Sequence, residues 1–547
     1  MHRRDFLKAG AISTVIPAIR TLGSIAENGS SVTTPFFSTS DVQWQRAYDR
    51  ALGILAANVR VLPRFPRPVL IEGAEYAGIW QECGPHEALV YRHFRPDVAR
   101  NSHMIFFALQ QPDGQLPANN TRSETGFGQI QMVVPIAATA WELAQATDDS
   151  ELLETAYRAC TRWDAWLMRY RNTRGTGLIE GFCTYDTGMD NSPRWAGLAP
   201  QCPGKDARRL PQDSTLPRLS PDLSATVYRA RVALSAMADA LGKQSQAAQW
   251  QERAETLRSL IMQRLYSSED AAFYDLTAQN EFVRVRSDIL TRMCGEHVVD
   301  AKTFATIWGR QLGNSRAFWA PFPFPSIALD DPTFVRPIPP NSWGGASQAL
   351  TALRAGRWLD HYDRSAEFTH MMRQWCEALQ RDMTFSQQMD PLTGEFTRGG
   401  RPDYSPAALV MYDYTWRLAG VREAGRELHW NVRPGYAASR NAVFRLNAGG
   451  GKQAEMHYYG KGAKLRLGTL QLGRVEGVAR LATDSQGKPL YLQSIDVTPQ
   501  RIELQLTGLP RQHFTLPPNA RESLTANVTT GLQYAPEIGP GWEMPPA

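Results

Sequence analysis

Residues 223–265 read LSATVYRARVALSAMADALGKQSQAAQWQERAETLRSLIMQRL, and their spacing sets the fold class. Leu223, Val227, Leu234 and Leu241 recur at helical intervals, and Gly242 stands where a helix would end. Beyond it Trp250, Ala254, Leu257, Ile261 and Leu265 hold a second apolar stripe, with Arg253, Glu255 and Arg258 outside it. Two amphipathic helices in succession can bury their stripes against each other and against further helices. Further pairs are readable around 86–110, 128–146, 150–170, 343–360, 363–381 and 405–418. From about Val42 to Gly420 the chain therefore predicts a mainly α fold, most of a helical toroid.

Near Leu428-His429-Trp430-Asn431 the period changes from 3.6 to 2. Leu465 and Leu467, Leu470 and Leu472, then Ile502, Leu504 and Leu506 alternate with polar residues, as half-buried strands do. Ser485-Gln486-Gly487-Lys488 reads as a hairpin turn, and Gly449–Gly451 as a strand-connecting turn without the strand-to-helix setting of a phosphate loop. The expected divisions are a signal segment at 1–26, an extension with the first helix at 27–70, the toroid at 71–423 and an antiparallel β-sandwich-like domain at 424–547.

Composition narrows the function. At 43% hydrophobic and 21% charged the 547 residues describe a globular protein with ample core, excluding disordered, collagen-like and disulfide-framework chains. A net charge of +5 with no Lys/Arg block is no nucleic-acid footprint. The 15 Trp and 18 Tyr would suit stacking on sugars, although large cores also consume them. The start, Met1-His2-Arg3-Arg4-Asp5-Phe6-Leu7-Lys8, then a mildly apolar run to Ile19 and Ser24-Ile25-Ala26, reads as a twin-arginine export signal. No later stretch approaches the length of a membrane span, so the expected mature chain is soluble and periplasmic or secreted. Cys83, Cys160, Cys183, Cys202, Cys294 and Cys376 show no metal-ligand spacing, and no cofactor or metal is implied. Cys183 and Cys202 either brace the loop between them or remain thiols.

Three loop clusters carry the chemistry-bearing side chains. The first is Gly78-Ile79-Trp80-Gln81-Glu82-Cys83-Gly84-Pro85-His86-Glu87, with His86 a candidate for a substrate hydroxyl or carboxylate. The second, Gln111 to Asn120, ends in the candidate contact Asn120. The third is Tyr185-Asp186-Thr187-Gly188-Met189-Asp190-Asn191-Ser192-Pro193-Arg194-Trp195: two carboxylates four apart bracket a glycine, and an arginine and an indole follow. Asp186 and Asp190 are both site candidates.

DTGMDNSPRW resembles the acid-bearing loop of the inverting α/α-toroid glycosidases: trehalases, the processing α-glucosidases of glycoside hydrolase family 63 and the mannosylglycerate-hydrolase-like group. The resemblance extends through His93-Phe94-Arg95-Pro96-Asp97-Val98-Ala99, Pro112-Asp113-Gly114 and Asn341-Ser342-Trp343 to Asp390-Pro391-Leu392-Thr393-Gly394. It implies a six-hairpin (α/α)6 toroid, a carbohydrate substrate, Asp190 as general acid, and Asn191, Arg194 and Trp195 near the sugar. Trp80 matches the aromatic residue opening the family's substrate-contacting loop, and Asn341 and Trp343 gain a substrate role from the same match. Inverting hydrolysis needs one protonated carboxyl and one ionised carboxylate roughly 6.5–9.5 Å apart.

The second carboxylate departs from the pattern. The family's base, a Glu four residues before the Pro of the P-x-T-G turn, corresponds to Gln387, and the family's Asp after its tryptophans corresponds to Cys83 when counted back from His93. An amide accepts no proton from water at neutral pH. Glu82 is the leading replacement, ahead of Asp390, Glu395, Asp186 and Glu87. Two other repairs are phosphate as the attacking group, and Gln387 orienting water for a distant carboxylate. Besides an exported glycoside hydrolase, two readings stand: a polysaccharide lyase using Tyr185, His86 and Arg194 on a uronate, and a glycan-binding protein that has lost its base.

Overall fold

The computed structural model describes residues 35–73, 75–397, 401–448 and 451–524, with the backbone of 529–530. The export signal expected at 1–26 and most of the Gly449–Gly451 turn lie outside these residues. The helices are α1 (Val42–Ala57), α2 (Gly84–Tyr91), α3 (Pro96–Ala108), α4 (Ile136–Thr147), α5 (Ser150–Tyr170), α6 (Pro221–Ala240), α7 (Gln244–Arg264), α8 (Ile289–Gly295), α9 (Ala301–Ile307), α10 (Ala349–Arg354), α11 (Gly356–Leu359), α12 (Ser365–Asp382) and α13 (Ser405–Ala419). Their starts follow local chemistry: Asp41 and Asp149 cap α1 and α5 through the amides of Trp44 and Leu152. The α6–α7 turn closes at Gly242, whose φ of +72° suits glycine.

Burial sorts the helices into two kinds. Helix α13 is buried on almost every face, as is the first half of α6, whereas α7 buries only Ala247, Trp250, Ala254, Leu257 and Ile261. A helix that is buried all round is wrapped by others; one with a single stripe faces solvent. Accordingly α2 packs on α4, α4 on α6, α6 on α8, α8 on α11, α10 on α13, and α13 again on α2. Outside them α3 backs α2, α5 backs α4, α7 backs α6, and α1 and α12 back α13. Among the described residues no helix is long and apolar enough to cross a membrane.

Helix α13 stops at Gly420, and the next strand begins at Val421, three residues before the boundary expected from the change of period. Gly420 is required there: a Cβ would meet the Phe444 ring at 2.7 Å. The strand region forms two antiparallel sheets. One has seven strands, in the order Phe36–Ser38, Val443–Ala448, Lys452–Tyr459, Gly462–Leu467, Leu470–Glu476, Gln500–Leu506 and Gln512–Leu516. The other has six, starting with Val421–Ala424 and Glu427–Val432, and the expected turn at Ser485–Lys488 joins two of its strands. Residues 36–38, read as part of an N-terminal extension, are thus a strand of the C-terminal sheet, with Phe36 opposite Arg445. Buried Arg433 fastens strands to helices by donating to Leu418 O and Ile495 O and pairing with Asp496.

Candidate active site

The site segments lie ahead of the buried helices. Glu82 and Cys83 precede α2, Gln131 precedes α4, Asn341–Trp343 precede α10, and Gln387 and Tyr404 precede α13. Short ladders tie them together: Gly78–Trp80 pairs with Asn119–Thr121, and Ser347–Gln348 with Gln388–Met389.

The loop after Cys183 is pinned from below. Asp186 is fully buried, its carboxylate taking the amides of Ile130, Phe182 and Cys183 and the guanidinium of Arg171. Arg194 is buried to 1% exposure, with every donor engaged. Its Nε serves Asp275, Nη1 serves Asp222 and Met189 Sδ, and Nη2 serves Ser220, Asp222 and Asp275. Trp195, 2% exposed, packs its ring over Gly181 and donates Nε1–H to Thr187 Oγ1 at 2.9 Å. These three residues, expected at the sugar, instead build the loop's underside. A lyase reading loses its carboxylate-neutralising group with Arg194.

What the pinning leaves above is half-buried Asp190 and exposed Asn191. The backbone of Trp343 donates to Asp190 O at 2.9 Å, Asn341 Nδ2 donates to Asp190 Oδ2 at 3.2 Å, and Asn191 Nδ2 donates to Asn341 O at 2.8 Å. Burial raises the Asp190 carboxyl above its ordinary range, against the Asn341 bond and the positive charge of Arg401. Asn341 also accepts from Gln387 Nε2 at 3.1 Å, while Gln387 Oε1 accepts from Tyr76 Oη at 3.0 Å. Position 387 and the acid candidate are therefore separated by one asparagine side chain. Trp80 is half-buried and meets Tyr76 edge-on at 5.7 Å; Arg401 lies over the ring of Tyr76 at 3.9 Å.

Glu82 lies beside Gly188 with Oε2 buried and without a partner among the described residues. Burial pushes it up to about 7; Arg354 and Arg292 oppose the rise, and Asp190 adds to it. Behind it sit two more buried carboxyls. Glu87 is pushed up to about 8 by burial, and Glu72 is raised well above the usual range by burial and by Glu82 and Glu87, while accepting from Tyr404 Oη. Cys83, Arg354 and Arg292 are buried with them.

Other expected contacts fall elsewhere. Asn120 is fully buried, its amide held by Arg64, Thr125 and Pro63 O, and braces the strand behind Trp80. His86 is buried and held neutral by burial and by Arg357 and Arg354. The Trp343 ring is 2% exposed beneath Arg292, so its backbone, not its face, serves Asp190. Asp390 caps the amides of Leu392 and Thr393, and Glu395 is exposed. Sequence reading passed over Tyr76, Arg401, Glu72, Tyr404, Arg354 and Arg292. Tyr76 and Glu72 lie just ahead of the Trp80 stretch, the nearest thing to a signal.

Residues 76–416 match the mannosylglycerate hydrolase MGH1-like glycoside hydrolase domain, which is well over half of the chain. The chain belongs to the MGH1-like glycoside hydrolase family. MGH2 and MGH1, mannosylglycerate hydrolases of Selaginella moellendorffii, are each 35% identical to it over 79 residues, a stretch covering 14% of this chain and 15% of each relative. Among solved structures, the GH63 mannosylglycerate hydrolase of Thermus thermophilus with Tris and D-glycerate aligns at a TM-score of 0.54 and 18% identity, over 67% of this chain and all of that one. A sialidase aligns at 0.60 and 16% identity, over 82% of this chain and 41% of its own. These structural likenesses carry the fold; the MGH1-like domain match carries the family.

Proposed function

We propose that the protein is an exported, inverting glycoside hydrolase in which Asp190 is the general acid and Glu82 the general base. The helices would form a six-hairpin toroid (71–423) and the strands a sandwich (424–547), behind a signal at 1–26. The observation that carries the reading is the placement of Glu82 and Asp190 against the same glycine-bearing loop, both raised by burial, with the Asp190 charge felt at Glu82. The productive form carries one proton on the pair, and it resides on Asp190. A sugar covering the exposed part of Asp190 removes its remaining water and favours the protonated form, while Arg354 and Arg292 hold Glu82 toward the carboxylate.

Asp190 then protonates the glycosidic oxygen as the bond to the anomeric carbon breaks. Water attacks that carbon from the opposite face and gives its proton to Glu82. Gln387, with one amide hydrogen and one lone pair beyond its bonds to Asn341 and Tyr76, is suited to hold that water. Trp80 offers the stacking face. The name shared by the matched relatives makes mannosylglycerate the first substrate to try.

Proton NMR of the first-formed sugar tests the proposal: an anomer opposite to that of the substrate is expected, with turnover lost in folded Asp190→Asn and Glu82→Gln. Retention, or full turnover in either variant, would refute it. The Gln387 amide favours one second reading, sugar binding without turnover. Binding of mannosylglycerate with no product over long incubation would support that instead.

A further inference from the structure

Cys183 and Cys202 stand at the two feet of the loop that carries Asp190, and Cys202 directs its S–H at Cys183 Sγ across 3.8 Å. Both are buried, sharing a small apolar cluster with Phe182 apart from the main core. The backbone holds them face to face without help from the sulfurs. Thr184 and Tyr185 N–H donate to Ala199 and Pro200 O, Cys202 N–H donates to Gly128 O, and Asp186 takes the amides of Phe182 and Cys183.

We infer that Cys183 and Cys202 are a disulfide-forming pair that locks residues 183–202 into a covalent ring around Asp190. A disulfide needs its sulfurs at about 2.05 Å, so closure asks for a shift of less than about 2 Å shared by two side chains. Two S–H bonds are lost and one S–S bond forms. The two electrons and two protons pass to a disulfide oxidant, whose S–S bond breaks to give two thiols. The pairing concerns the frame of the loop and is independent of the role given to Asp190.

The same two sulfurs and the Asp186 carboxylate lie close enough together to hold a cation. The surroundings oppose that use. The carboxylate is already occupied by three amides and Arg171, and Arg171 Nη2 donates to Cys202 Sγ at 3.6 Å, so a cation would sit against a guanidinium. Burial pushes the Cys183 thiol well up, so the nucleophilic thiolate is scarce while the loop is closed. Oxidation then accompanies loop opening or the last steps of folding, and the finished bond is sheltered from reductants.

The test uses the full chain, incubated with glutathione disulfide or with dithiothreitol and mapped as non-reduced peptides. The expected product joins the peptides of Cys183 and Cys202 at about 2 Da below their summed mass. Thiols titrated in denaturant fall from the six cysteines of the chain to four, the pair having been consumed. Proteolysis between 184 and 201 slows in the oxidised form. The wild-type map decides the matter even if Cys202→Ala fails to fold. Six thiols surviving oxidant under conditions where the loop is cut by protease would overturn the inference. A cross-link between other cysteines, or stoichiometric zinc lost in Cys202→Ala, would do so equally.

Discussion

A Cβ built on Gly188 would fall 1.5 Å from Glu82 Oε2, so the glycine of the Asp190 loop is the wall against which the other carboxylate of the site rests. Gly188 also has a φ of +62°, where an L side chain is strained. Gly188→Ala is expected to cost about 1 kcal/mol of stability from the backbone alone and to displace Glu82. A displaced catalytic group lowers kcat on the order of a hundredfold. Thermal unfolding and steady-state kinetics on one preparation check both; unchanged kcat would remove Glu82 from the chemistry.

The pH profile follows from one proton shared by two carboxyls. With Glu82 near 7 in the free protein, the pair loses its last proton as pH rises through about 7, and no acid remains. At low pH both are protonated and no base remains. The profile of kcat/KM is therefore expected to be a bell with its maximum on the acid side of 7. An optimum above pH 8 would contradict the assignment.

Glu87 bears on stability instead. Its folded-state value of about 8 stands above that of an unfolded glutamate, so the folded state keeps a proton that the unfolded state has lost. The contribution is fully present below about pH 4, declines as pH rises, and is gone above about 8. Glu87→Gln, which cannot ionise, is expected to gain on the order of 4 kcal/mol over the wild type at pH 8 and nothing at pH 4. Denaturant titrations at the two pH values measure the difference.

Arg194→Met would leave Asp275 without its guanidinium in the interior and Asp222 with Arg292 alone. Breaking a buried pair from one side costs about 3–5 kcal/mol. The urea midpoint should fall accordingly. The surviving folded fraction should keep its KM, since Arg194 lies beneath the loop; a raised KM at unchanged stability would restore it as a sugar contact.

Gln387→Glu adds a carboxylate one asparagine away from Asp190. The added negative charge raises both members of the pair, so the descending limb of the pH profile should move to higher pH. A limb that stays put, or moves down, would show that position 387 does not face the pair.

The hairpin at 223–265 was legible because its two stripes are set by residues a few places apart, and helices α6 and α7 occupy it. Helices α8 and α9 were not, being seven residues each, too short for a stripe to repeat. The same distinction runs through the site. Asp190 and Asn191 stand together in sequence and in space, but Arg194 and Trp195 turn the other way, and a loop sequence does not say which side faces the cleft. The partners that decide it, Asp222 and Asp275, are 28 and 81 residues further on. Gln387 was recognised as the departure in the pattern, yet its clamp by Tyr76 spans 311 residues and leaves no local trace.

Thr39 donates to the carbonyl of Arg440, 401 residues away, beside a sheet-edge strand supplied by Phe36–Ser38. That strand therefore has no partner until roughly 400 further residues have been synthesised. Under the export proposed above, that delay leaves one edge of the sheet open in any chain whose synthesis has not yet reached Val443–Ala448.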